Sequence, residues 1–69
     1  MMTGRVIKIE NGLVYLDADD GRRCWFQPIG AYEIGLGDVM TGDLWALGAE
    51  EFHNETKVYS MSVFIEGHT

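Results

Sequence analysis

Residues 6–17, Val6-Ile7-Lys8-Ile9-Glu10-Asn11-Gly12-Leu13-Val14-Tyr15-Leu16-Asp17, decide the fold. Two alternating apolar runs flank Asn11-Gly12, the dipeptide best suited to a type I′ turn, which needs positive φ at both central positions. A two-residue turn fixes the pairing: Glu10 with Leu13, Ile9 with Val14, Lys8 with Tyr15 and Ile7 with Leu16. Side chains alternate across a strand, so this register predicts Ile7, Ile9, Val14 and Leu16 on one face, the core face.

Working outward toward the C-terminus, Asp19-Asp20-Gly21 is the next turn. A two-residue loop would oppose Trp25 to Leu16, whereas a three-residue loop with Gly21 in the left-handed conformation pairs Asp17 with Arg23, Leu16 with Cys24, Tyr15 with Trp25 and Val14 with Phe26. The second reading keeps the core row continuous through Cys24 and Phe26, and it sets Lys8, Tyr15 and Trp25 in an outer row across three adjacent strands. Pro28 cannot donate to a ladder and ends the third strand. Ile29 to Gly37, with three glycines, reads as a crossing loop whose Tyr32, Ile34 and Leu36 drop onto one end of a barrel, with room for a helical turn. A fourth strand is expected over Val39 to Leu47, bent at Gly42, followed by an exposed acidic loop from Gly48 to Thr56. The fifth strand, Val58 to Ile65, is expected to point Tyr59, Met61, Val63 and Ile65 inward. The prediction is therefore one all-β domain over residues 1–69, a five-stranded antiparallel barrel. The alternative is an α+β fold with a short helix near 43–53, capped by Asp43.

Composition bounds the rest. The 69 residues are 46% apolar and 12% aromatic, too hydrophobic for disorder, and no apolar run approaches the roughly 20 residues that span a bilayer. The single cysteine, Cys24, cannot form an internal disulfide, and no secretory signal precedes the first strand. Both point to the cytoplasm and away from a membrane. A core this small rarely contributes more than about 3–5 kcal/mol unaided, which makes self-association a natural expectation. The net charge of −6 is uneven. Arg5, Lys8, Arg22 and Arg23 balance Glu10, Asp17, Asp19 and Asp20 in the first 27 residues. Beyond them Lys57 stands alone against Glu33, Asp38, Asp43, Glu50, Glu51, Glu55 and Glu66. Phosphate would be repelled by that second part, so any nucleic-acid surface belongs to the first.

Three meandering strands, a crossing loop and two further strands are the order of the OB-fold. The spacing resembles a cold-shock-type domain over residues 4–47. Gly4-Arg5-Val6-Ile7-Lys8 is similar to that family's opening strand, Leu13-Val14-Tyr15-Leu16 lies where its first nucleic-acid motif falls, and Cys24-Trp25-Phe26-Gln27 where its second falls. The family's Lys-Gly-Phe-Gly-Phe run reads Asn11-Gly12-Leu13-Val14-Tyr15 here, and of its Val-Phe-Val-His run only the central aromatic is kept, as Trp25. The resemblance implies binding of single strands by stacking.

Lys8, Leu13, Tyr15, Arg23 and Trp25 are the candidate binding residues, because aromatic side chains with Arg nearby are typical of interface centres and also of stacking platforms. A protein partner or a second copy is the first expectation and single-stranded nucleic acid the second. No catalytic residue, metal or cofactor is expected. Asp17-Ala18-Asp19-Asp20-Gly21 lacks the Gly and acidic positions of a calcium loop, as Pro28 stands where the last ligand is needed. Asn54-Glu55-Thr56 has the form of a glycosylation acceptor but reads as a polar loop tripeptide, and His53 and His68 are expected in a loop and at the chain end without metal-ligand spacing.

Overall fold

The computed structural model describes residues 2–69. Asn11 and Gly12 have φ of 53° and 79°, the left-handed pair that a type I′ turn demands, and they join β1 (Met2–Glu10) to β2 (Leu13–Ala18). Gly21, at φ 88°, turns β2 into β3 (Arg23–Pro28), and the pairs Tyr15↔Trp25 and Leu16↔Cys24 follow as the three-residue loop predicts. After the crossing segment come β4 (Val39–Gly42), β5 (Gly48–Asn54) and β6 (Tyr59–His68). Every pairing is antiparallel, in the order β1-β2-β3-β6-β5-β4, and β4 closes on β1. The fold is thus an all-β closed barrel made of two three-stranded meanders, with six strands where five were expected.

The added strand is β5. Gly48 to Asn54 is not an exposed loop: Phe52 and Asn54 are fully buried, and the segment pairs with β6 from Gly48↔Ile65 to Asn54↔Tyr59. The expected fourth strand stops at Gly42, which the ring of Phe52 requires to be glycine, since a Cβ there would lie 2.5 Å from Phe52 Cδ1. The chain then turns through Asp43–Leu47, and Leu44 plugs one end of the barrel with no exposure to solvent. There is no helix near 43–53, nor a helical turn in the crossing segment. Leu36 does not drop onto the barrel either, being 70% exposed, whereas Tyr32 and Ile34 pack against the core as expected.

The core row also differs at β1. Val6, not Ile7, lies opposite Leu16, because the register shifts between Val6 and Lys8. The cause is non-local: Val6 donates its N–H to Asp38 O and accepts from Gly37 N–H, so the crossing segment claims Val6 and the next residue is bulged out. Ile7 is consequently 38% exposed. Ile9 keeps its pairing with Val14 but stands at the barrel mouth, 45% exposed. Inside, Phe26 and Phe52 meet edge to face at 5.2 Å between centroids, and Met61, Val63 and Ile65 point inward as predicted. Each such large apolar side chain contributes roughly 1.5–3 kcal/mol when fully buried.

Two polar residues enter this interior. Asp38, 4% exposed, receives Lys57 Nζ at 2.6 Å, Asn54 Nδ2 at 3.0 Å and Gly35 N at 3.0 Å on a single carboxylate oxygen. Asn54 Oδ1 in turn accepts Lys57 N–H at 2.9 Å, so the asparagine of the acceptor-form tripeptide is buried with its amide used, while Glu55 and Thr56 are exposed in the turn that follows. Burial pushes the Asp38 carboxyl up, but the Lys57, Gly35 and Asn54 hydrogen bonds and the Lys57 charge together outweigh it and hold the group below the ordinary value. The hydrogen bond to Asp38 raises the Lys57 ammonium. Both groups are therefore ionised at neutral pH. The network ties the crossing segment to the β5–β6 hairpin, whose Val58 sits at φ 60°, a conformation costing a β-branched residue about 1–2 kcal/mol.

Candidate functional site

The outer row takes shape from parity. With Ile9, Val14 and Phe26 facing in, Lys8, Tyr15 and Trp25 must face out on neighbouring strands, and the observed pairs Lys8↔Tyr15 and Tyr15↔Trp25 put them side by side. Lys8 Nζ lies 4.8 Å from the centre of the Tyr15 ring, within cation–π range. The Tyr15 and Trp25 rings are 6.2 Å apart and inclined at 33°. Both are half-buried.

A fourth strand extends the row. Trp25 pairs with Gly67 of β6, and a Cβ there would lie 2.7 Å from Trp25 Cζ2, so the indole rests directly on bare backbone. The absence of a side chain at Gly67 fixes where the indole lies. Sequence reasoning placed Trp25 correctly and missed this support, since it depends on a β3–β6 register shift between Trp25 and Phe26 that no local signal announces.

Leu13 and Arg23 share the face by parity, but Arg23 is not a free cation. Its Nε donates to Asp17 Oδ1 at 2.7 Å. Lys8 likewise pairs with Glu10 at 3.4 Å, and Arg22 with Asp20 at 2.9 Å. Three of the four bases in the first 27 residues are thus matched to an acid of the same meander. The aromatic centre has Lys8 and Glu10 on one side and Asp17 and Arg23 on the other. Val6 adds nothing to this apolar face, since it is buried in the core.

Cys24 lies beneath this face, fully buried as a core side chain, and burial pushes its thiol up to about 11. His53 and His68 are both in strands: His53 Nδ1 lies 3.2 Å from Ser60 Oγ, and His68 packs edge-on against Trp45. The Arg22 guanidinium covers that same Trp45 ring at 3.8 Å. Among the described residues no group of three His, Cys, Asp or Glu side chains is placed to hold a metal ion, and no helix is long and apolar enough to cross a membrane.

No family model, curated protein or solved structure matches the chain. The functional reading therefore rests on this geometry alone.

Proposed function

We propose that the chain is a non-catalytic protein-binding module of the cytoplasm, which uses the outer face of β1–β3 and takes a second copy of itself as partner. The observation that carries this is the arrangement of charge around the aromatic pair. A two-fold interface presents the same patch from both sides, so it must be complementary to itself. Tyr15 and Trp25 offer an apolar centre flanked by a base and an acid on each side, Lys8 with Glu10 and Arg23 with Asp17, so that antiparallel docking of two copies brings unlike charges together. Aromatic burial of this kind would supplement a core of limited size. A single cysteine, buried in the core, suits a reducing compartment.

The test is Trp25→Glu. Its expected outcome is a folded, soluble chain whose mass by light scattering is that of one copy, where the native chain has a higher mass. A folded Trp25→Glu variant with unchanged assembly overturns the reading. The platform geometry of Tyr15 and Trp25 beside Lys8 also favours a second reading, an OB-like barrel of cold-shock type that stacks single-stranded bases. That reading predicts quenching of Trp25 fluorescence by short oligonucleotides with a steep loss in salt. The pairing of Lys8 and Arg23 with acids is why it stands second.

A further inference from the structure

Away from the outer row, the crossing segment and the start of β6 enclose an open cleft of about 630 Å³, lined by Ala31, Tyr32, Glu33, Lys57, Tyr59 and Ser60. It shares no residue with the face described above. Its walls are two tyrosines stacked in parallel, with ring centres 5.8 Å apart and planes 7° from parallel. Both rings are anchored by their hydroxyls, since Tyr59 donates to Glu33 O and Tyr32 accepts Ser62 N–H at 3.2 Å. Such anchoring removes the entropy that a mobile aromatic loses on binding.

Charge decides what the cleft can accept. Lys57 is the one cation in the wall, and it is held by Asp38 at 2.6 Å, which makes that pair neutral as a unit. Glu33 makes no direct ion pair, although its charge helps to raise the Lys57 ammonium, and it stands as the exposed carboxylate on the rim, in a part of the chain that carries −6 overall. An anionic ligand would meet Glu33 and this surrounding field, whereas a cation would gain both the carboxylate and the negative ring faces. Val58, between Lys57 and Tyr59 in the turn that leads into β6, is apolar, 75% exposed and in a left-handed conformation.

We infer that the Tyr32–Tyr59 cleft is a second binding site, which takes the side chain of an arginine from a basic segment of a protein partner. The guanidinium plane stacks on a tyrosine face while its N–H groups reach Glu33, and the apolar Val58 meets the flanking chain. Arginine is favoured over lysine because a planar, weakly hydrated cation stacks on an aromatic ring at lower desolvation cost.

The experiment is an NMR titration of the full chain with the peptide acetyl-Gly-Arg-Gly-Arg-Gly-amide, and with its glutamate counterpart. The arginine peptide is expected to shift the ring signals of Tyr32 and Tyr59, to leave the Trp25 indole unmoved, and to bind more weakly as salt is raised. Glu33→Gln, which keeps the backbone carbonyl that accepts from Tyr59 and changes only an exposed side chain, is expected to weaken binding about threefold to fivefold, and Tyr32→Leu about tenfold. Equal shifts with the glutamate peptide, no shift with either, or an undiminished affinity in Glu33→Gln would overturn the inference. Shifts centred on Trp25 would also overturn it while leaving the outer-face reading in place.

Discussion

The two meanders of this barrel are held in shape by different means. In β1–β3 the register is set locally, by Asn11-Gly12 and by Gly21, except at the Ile7 bulge that the crossing segment imposes, and the polar side chains form exposed pairs such as Arg23 with Asp17. In β4–β6 it is set from a distance: Asp38, Asn54 and Lys57 come from the crossing segment and the far hairpin, and they meet in the interior on one carboxylate oxygen. The outer side chains of the first meander are therefore not needed to hold its shape, because its geometry does not depend on them. The second has its most specific polar residues committed to closing the barrel.

The largest expected effect separates the two modes directly. Asp38→Ala leaves Asn54 and Gly35 donors without an acceptor in a buried site, and it is expected to cost on the order of 3 kcal/mol in urea denaturation. The equivalent removal in the first meander, Asp17→Ala, is expected to leave the midpoint almost unchanged, as for other solvent-exposed ion pairs. Equal losses would erase the distinction. Acid titration sharpens it. A carboxyl held below its ordinary value of 3.8 contributes stability that is present above that pH and is lost as pH falls through the folded value. Stability should thus drop below pH 3.8, and Asp38→Asn should flatten that limb. The raised Lys57 value acts in the opposite sense, its contribution being lost only as pH rises past 10.5.

A smaller effect concerns the proposed interface. Gly67→Ala places a Cβ 2.7 Å from the Trp25 ring and must displace it. The expected result is a folded chain, destabilised by about 1–2 kcal/mol, with weakened assembly. Smallest of all, and opposite in sign, Val58→Gly should stabilise the chain by about 1 kcal/mol by relieving its left-handed backbone. A loss of stability there would mean that the Val58 side chain packs more than its 75% exposure implies.

How far the sequence could be read follows the same division. The first meander was legible down to the pair Tyr15↔Trp25, since two turns with fixed conformations determine it. Val6 takes the core place expected of Ile7 because of backbone bonds to Gly37 and Asp38 that lie 30 residues or more away in the chain, and Ile9, also expected inside, is exposed because its pair with Val14 falls at the barrel mouth. In the second meander β5 was missed because only Phe52 marks its inner face as apolar. The other fully buried inward residue is Asn54, a residue type that ordinarily signals a turn. Leu44 had the hydrophobicity of a strand residue but serves as an end plug, which only the closed barrel makes possible. The candidate face was assembled correctly as a row, while the pairing of its bases with acids and its support by Gly67 were not visible in advance.

The central claim is that Tyr15 and Trp25 form the middle of an interface between two copies. It is tested most directly by measuring the mass of the native chain in solution by light scattering, before and after adding a pool of short single-stranded oligonucleotides. A mass above that of one chain, unaltered by the oligonucleotides, is the predicted result. A single-chain mass that rises when they are added would contradict it and assign the face to nucleic acid.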